Sequence, residues 1–294
     1  IDLAVNRGEV VGFLGPNGAG KSTTMKMLTG FLEPDSGKIL INNIDLKSHP
    51  LHAKQLIGYL PEGAPSYSDM IVSDFLSFVG KMRGIDDKNT LNNRLEDMAN
   101  HINLNDVWNR PIETLSKGFK RRVGIAQALI HDPDILILDE PTDGLDPNQK
   151  LEMRNLIKTI SKNKAIVIST HILEEVEAVC SRAVIIANGK LLANEKPENL
   201  GKNLNQKSVM SILASNKINS TFSKEIKANF KNNKIEVQTI DNSYCKILIE
   251  GDEKSLDLNK ILTQLKKQKL NVVEAFFVRP SLDEIFRKIT QSKS

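Results

Sequence analysis

The stretch "GPNGAGKST", Gly15 to Thr23, constrains the fold of this chain more than any other. Its spacing, G-x-x-x-x-G-K-[ST], demands a strand before it and a helix after it, because the loop between them must turn its backbone N–H groups around an anion. Both flanks are present. Val10–Leu14 is an apolar run that predicts a buried strand, and residues 24–29 predict a helix. Gly15, Pro16, Asn17, Gly18, Ala19 and Gly20 then form a phosphate cradle in which Gly18 and Gly20 let the backbone bend. Lys21 brings positive charge to β- and γ-phosphates, Ser22 offers its hydroxyl to Mg²⁺ and completes the motif, and Thr23 follows it directly.

The runs "EVVGFLG", "GKILIN", "IGYLPE", "DILILDE", "AIVIST" and "AVIIANGKLL" are rich in Val, Ile and Leu and mostly do not alternate with polar residues. That pattern predicts buried, largely parallel strands joined by crossover helices, hence an α/β domain over residues 1–200. Residues 70–130 interrupt it and read as a helical subdomain. The opening "IDLAVNRGEVVGFLG" starts inside a strand pattern, so a further strand is expected upstream of Ile1. Around "PENLGKNLNQ" the composition turns polar, which marks a boundary. Beyond it, residues 206–294 form an expected accessory domain. Strands are expected at 208–214, 234–240, 244–250 and 271–278, helices at 222–231 and 255–268, and a turn at "DNS". The order βαββαβ is that of a small ferredoxin-like α+β domain. A last helix, "SLDEIFRKIT", follows Pro280. With no Cys/His/Asp cluster or Gly-rich loop, this domain reads first as a packing appendage, with regulation, a part in dimerisation and ligand binding as the alternatives.

Two other strand ends carry polar side chains. "DILILDE" delivers Asp139 and Glu140 to a C-terminal strand edge, where ligands of open α/β sheets gather. Neighbouring side chains on a strand point to opposite faces, so the two carboxylates take different jobs: Asp139 for the Mg²⁺ shell, Glu140 for the attacking water as base or orienter. "AIVIST" ends in Thr170-His171, which puts His171 at the same edge, within reach of a γ-phosphate. A different puzzle lies in "LSKGFKRR". Ser116 reads as a helix N-cap, yet Lys117, Lys120, Arg121 and Arg122 crowd the positive end of the helix dipole.

Composition narrows the function classes. A formal net charge of +4 over 294 residues is too small to argue for nucleic acid as a partner. Cys180 and Cys245 match no metal or redox spacing and read as free thiols in a reducing compartment. No run approaches the ~20 apolar residues that span a bilayer, and no secretory signal is visible. A membrane role would have to come through partner chains.

The motif order is specific: "GPNGAGKST", "GYLPEG", a helical insert, "LSKGF", "ILILDEPTDGLD", "STH". In that order the chain resembles the nucleotide-binding subunit of an ATP-binding cassette (ABC) transporter over residues 1–200. The resemblance implies an ATPase in which two copies pair head to tail around two ATP molecules. It makes Lys21 and Ser22 the Walker A lysine and serine, Asp139 the Walker B aspartate, Glu140 the catalytic glutamate and His171 the switch histidine. It puts Asp146, in "GLD", on a loop that crosses the dimer interface, and has Ser116 and Gly118 bind γ-phosphate in trans. Lys117 would then add charge there, while Arg121 and Arg122 read as a solvated or packing face. Three departures stand out. Glu62 occupies the place of a glutamine that touches Mg²⁺ and water. Lys117 and Phe119 replace glycine and glutamine of the signature. The adenine-stacking aromatic would lie upstream of Ile1. Glu62, "LSKGF" and the closing "RPSLDEIFRKIT" are similar to the ATPases of ABC-2 type exporters, which implies a separate permease chain and a place on the cytoplasmic face of the cell membrane. Two alternatives carry less support: an ABC ATPase acting on DNA or ribosomes, and a slow nucleotide-gated dimerisation module, which Glu62 alone favours.

Overall fold

The computed structural model describes residues 1–63, 67–200, 208–215, 233–240, 244–251, 256–267, 270–278 and 286–287. The chain divides into two compact units, Ile1–Leu200 with Phe286–Ser294, and Gly201–Ile285.

In the first unit, β1 (Val10–Leu14) is followed by α1 (Lys21–Leu28), a small hairpin of β2 (Leu40–Ile41) and β3 (Ile44–Asp45), α2 (Pro50–Gln55) and β4 (Ile57–Leu60). Next come α3 (Val72–Met82), α4 (Lys88–His101) and α5 (Lys117–Leu129), which make up the helical stretch. The unit continues with β5 (Ile135–Asp139), α6 (Pro147–Ser161), β6 (Ala165–Thr170), α7 (Leu173–Val179), β7 (Arg182–Ala187) and β8 (Lys190–Glu195). The main sheet has the order β4-β5-β6-β1-β7-β8. Its first five strands are parallel, and β8 is antiparallel to β7.

Two apolar cores explain why these strands do not alternate. Leu136, Leu138, Ile166 and Ile168 face one core, together with Leu76 of α3 and Val123 of α5. Their neighbours Ile137 and Val167 face the other, with Met25 of α1 and Ala53 of α2. A strand buried on both sides has no polar face to show.

Two runs expected among the parallel strands behave otherwise. "GKILIN" contributes only the two-residue β2, paired antiparallel with β3 outside the main sheet. "AVIIANGKLL" is two strands, β7 and β8, because Asn188 (φ 50) and Gly189 (φ 71) both take left-handed backbone. An Asn-Gly pair of that kind makes a tight two-residue turn and returns the chain antiparallel. The helix after the phosphate loop begins at Lys21 rather than at residue 24, because Gly20, at φ 103, serves as its N-cap.

In the second unit, β9 (Ser208–Ser215), β10 (Lys234–Thr239), β11 (Tyr244–Gly251) and β12 (Asn271–Val278) form an antiparallel sheet in the order β10-β11-β9-β12. On it packs α8 (Leu258–Lys267), through Ile261 and Leu265 against Met210, Ile212, Ile247 and Ile249. The helix expected at 222–231, the turn at 241–243 and most of the expected last helix lie outside the described residues.

Candidate active site

Strand order assembles the site. With β4, β5, β6 and β1 side by side and parallel, everything that leaves their C-terminal ends shares one edge. That edge carries Glu62 beyond β4, Asp139 and Glu140 at β5, His171 beyond β6, and the phosphate loop beyond β1. A cavity of about 480 Å³ opens there, lined by Pro16, Asn17, Gly18, Gly20, Lys21, Ser22, Thr23, Glu62, Glu140, Asp143 and His171.

The loop holds its own lysine. Lys21 is only 6% exposed, and its Nζ donates to the carbonyls of Gly15 (2.8 Å) and Pro16 (3.3 Å). It also lies 3.9 Å from Glu140 Oε1. Of the expected cradle, Gly15 and Ala19 do not line the cavity. A Cβ on Gly15 would collide with the carbonyl of Ile186, so this position is set by close backbone packing. Ala19 is buried, donates its N–H to Pro16 O (3.1 Å) and accepts from Gly189 N (3.1 Å). The turn between β7 and β8 therefore braces the loop from behind.

The carboxylates take separate environments. Asp139, 2% exposed, accepts a hydrogen bond from the Ser169 hydroxyl. Glu140 leaves the strand in left-handed backbone, φ 48, a conformation that costs a non-glycine residue energy and that clusters at functional sites. Its N–H donates to Ser169 O (3.2 Å) and Ser169 Oγ (3.0 Å), which hold that turn. His171 Nδ1 lies 3.0 and 3.1 Å from the two Glu140 carboxylate oxygens, so a ring protonated at Nδ1 donates to them. Burial raises the Glu140 carboxyl above the ordinary value, while the hydrogen bond and charge of His171, then the charge of Lys21, pull the other way. A base tuned upward in this manner sits nearer neutral pH and holds a water proton more readily.

Asp143 had not stood out in the sequence, yet it lines the cavity. Its N–H donates to Glu140 O (3.2 Å), closing the turn that follows the strand. The only hint was that the polar turn "PTDGLD" places an acid three residues beyond Glu140.

Ser116, Gly118 and Asp146 do not line this cavity. Ser116 caps α5, accepting from Phe119 N at 3.3 Å, and is exposed with Lys117. Gly118 is buried against Gln149, whose side chain a Cβ would meet at 2.7 Å. Asp146 caps α6 by accepting from Gln149 N at 3.0 Å. The basic side chains beyond Lys117 are engaged or buried within the chain itself. Lys120 Nζ donates to Glu113 O (3.0 Å), Arg122 Nη1 donates to Ile102 O (2.9 Å) and also pairs with Glu152, and Arg121 is 7% exposed.

A cradle, a buried lysine, a strand-end acid pair and a histidine on one sheet edge define a nucleotide hydrolase, and the comparisons give its family. The family model described as "ABC transporter" matches residues 1–143. The linearmycin resistance ATP-binding protein LnrL of Bacillus subtilis is 31% identical over 291 residues, 99% of this chain and 92% of that protein. The ABC transporter ATP-binding protein NatA of the same organism is 38% identical over 202 residues, 68% of this chain and 82% of that protein. A solved structure, cbiO1 from Clostridium perfringens, described as part of the ABC transporter complex cbiONQ, superposes with a TM-score of 0.63. It is 29% identical, covering 69% of this chain and 83% of that one. The chain belongs to the ATP-binding subunits of ABC transporters. It is an ATPase subunit.

Proposed function

We propose that this chain is the ATPase of an ABC-2 type exporter and works as a homodimer, each ATP lying between the phosphate loop of one copy and Ser116 and Gly118 of the other. The observation that carries this is the start of α5. It presents exposed Ser116 and a helix N-terminus, a favourable seat for an anion, outside its own chain's cavity. Lys117, also exposed, stands beside it. The name of LnrL, a linearmycin resistance ATP-binding protein, agrees with an exporter branch.

In the proposed reaction, Glu140 orients a water and takes its proton as the oxygen bonds to the γ-phosphorus and ADP leaves. Lys21 balances charge on the β- and γ-oxygens, and His171 holds the Glu140 carboxylate by its Nδ1–H. The oxygen donors around the cavity suit Mg²⁺. Ser22 and Glu62 line it, and Asp139 lies buried at the end of β5. Among the described residues no group of three acids, histidines or cysteines forms a cage of its own. This fits an ion that is held by one or two carboxylates together with phosphate oxygens and waters. Bound there, Mg²⁺ would neutralise charge on the β- and γ-phosphates.

No helix among the described residues is long and apolar enough to cross a membrane, so the transport path is assigned to a separate integral-membrane permease of the ABC-2 type. Exposed Tyr67, just before α3, and Phe78 and Met82 within it offer apolar surface for it. The subunit is placed in the cytoplasm, peripheral on the inner face of the cell membrane, with no nucleic acid partner. The dimer is tested by mixing Ser116→Arg chains with Lys21→Ala chains, each inactive alone. Recovery of ATPase activity from one competent site per mixed dimer is expected, and no recovery would overturn binding in trans.

A further inference from the structure

Glu175 is a costly group that the roles above leave unused. It sits in the first turn of α7 and is 4% exposed, with no ion pair to it among the described residues. A buried carboxylate is expensive unless its oxygens receive hydrogen bonds. Here each oxygen receives one. Thr142 Oγ1 donates to Oε1, and Thr170 Oγ1 donates to Oε2 at 2.8 Å. Both hydroxyls are themselves buried, Thr142 and Thr170 being 3% and 0% exposed.

The position of those threonines gives the arrangement its meaning. Thr142 is two residues beyond Glu140, in the turn that leaves β5. Thr170 ends β6 and immediately precedes His171. The Thr170 hydroxyl also accepts from Ile172 N at 3.1 Å, so the backbone is held on both sides of His171. One carboxylate therefore joins the loop bearing the candidate base to the loop bearing its histidine partner. A neutral packing residue would fill the space at lower cost, and it would not bind two separate loops with two equivalent acceptors.

We propose that Glu175 is a positioning residue for hydrolysis: through Thr142 and Thr170 it fixes the Glu140 and His171 loops relative to one another. The proposal rests on the hydrolytic roles given to Glu140 and His171. Without the clamp, ATP still binds the phosphate loop, but the base and its partner lose their alignment over the γ-phosphate.

The test is steady-state ATPase kinetics of the full chain. Thr142→Val and Thr170→Val each remove one hydroxyl, while Glu175→Gln keeps the shape and the ability to hydrogen-bond both threonines. If the lone buried carboxylate unfolds the valine variants, the triple variant Thr142→Val/Thr170→Val/Glu175→Leu removes donors and acceptor together, a change that proteins tolerate better. Each loss of the clamp is expected to lower kcat on the order of tenfold to a hundredfold, the scale of a small misalignment. KM for ATP should stay within about twofold, as expected when only transition-state interactions are lost. Glu175→Gln should recover most of the rate, and Thr170→Val should add nothing to the residual rate of Glu140→Gln. A packing role would instead weaken ATP binding and kcat together and would add to the Glu140→Gln loss; that result overturns the proposal. Unchanged kcat in the valine and triple variants overturns it as well. Normal hydrolysis by Glu140→Gln would overturn the base assignment first, and so separates that failure from failure of the clamp.

Discussion

Two helix starts in this molecule use the same physical device and end in opposite situations. Both α1 and α5 open without an acidic residue in the first turn, so their unpaired N–H groups and positive dipole ends are available to an anion. At α1 the chain builds the rest of the site itself. Lys21 is fixed by the carbonyls of Gly15 and Pro16, and Glu140, Asp143 and His171 close the cavity in front of it. At α5 nothing of the kind follows. Ser116 and Lys117 face outward, and the other cations are bound to carbonyls or buried in packing. Lys120 and Arg122 find partners without any ligand, at Glu113 O and Ile102 O, while the buried Arg121 has no hydrogen-bond partner for its Nη1 among the described residues. What remains exposed at α5 is Ser116, Lys117 and a helix N-terminus outside the chain's own cavity, and the proposed two-copy site rests on this asymmetry.

The largest effect that separates the two regions is expected at Glu140. Glu140→Gln should cut ATP turnover on the order of a hundredfold to ten-thousandfold, the range for a lost general base. ATP binding, measured with a fluorescent analogue, should persist, because Lys21 and the loop are untouched. A smaller and more selective effect is expected at Ser116. Glycine is an acceptable N-cap, costing only a few tenths of a kcal/mol, so Ser116→Gly should leave the thermal midpoint nearly unchanged. If its hydroxyl reaches a partner's γ-phosphate, turnover should fall about tenfold or more, because a hydrogen bond to a charged group is worth roughly 1.5–3 kcal/mol. Unchanged turnover at equal stability would reduce Ser116 to a cap and remove the contrast between the two helix starts.

How legible these regions were in the sequence follows from how local their causes are. The phosphate loop is a contiguous motif that calls for a flanking strand and helix, and its local geometry centres on Gly20 and Lys21, although the brace from Ile186 and Gly189 behind it is not local. Asp139, Glu140 and His171 were legible as strand ends, because four or five apolar residues leading to a polar one is a local pattern. That they meet is not local. It depends on the order β4-β5-β6-β1, which no single run encodes. Glu175 lay further out of reach. In "THILEE" it looks like any first-turn acid that complements a helix dipole. Its burial between two threonines 28 residues apart appears only when β5 and β6 are side by side. The split of "AVIIANGKLL" into a hairpin had a local signal, Asn188-Gly189, but the apolar residues on both sides imitate one long buried strand.

The smallest expected effect is a change of pH dependence at the candidate base. Glu140 must be ionised to take a proton from water, so kcat falls as pH drops through its titration. Burial raises that titration above the ordinary value of 4.5, and the acidic limb of the kcat profile should therefore lie above it. His171 is the main influence in the lowering direction, by hydrogen bond and by charge. His171→Ala removes it and leaves the burial, so the acidic limb of the residual activity should move to higher pH. Glu175 acts the other way, since its charge raises Glu140. Glu175→Gln deletes that charge while keeping the side chain's shape, and should move the limb to lower pH. Opposite displacements by the two variants, read from kcat–pH profiles at saturating ATP, tie both residues to the Glu140 titration. A limb that stays in place in both would mean that a group other than Glu140 controls the acid side of the reaction.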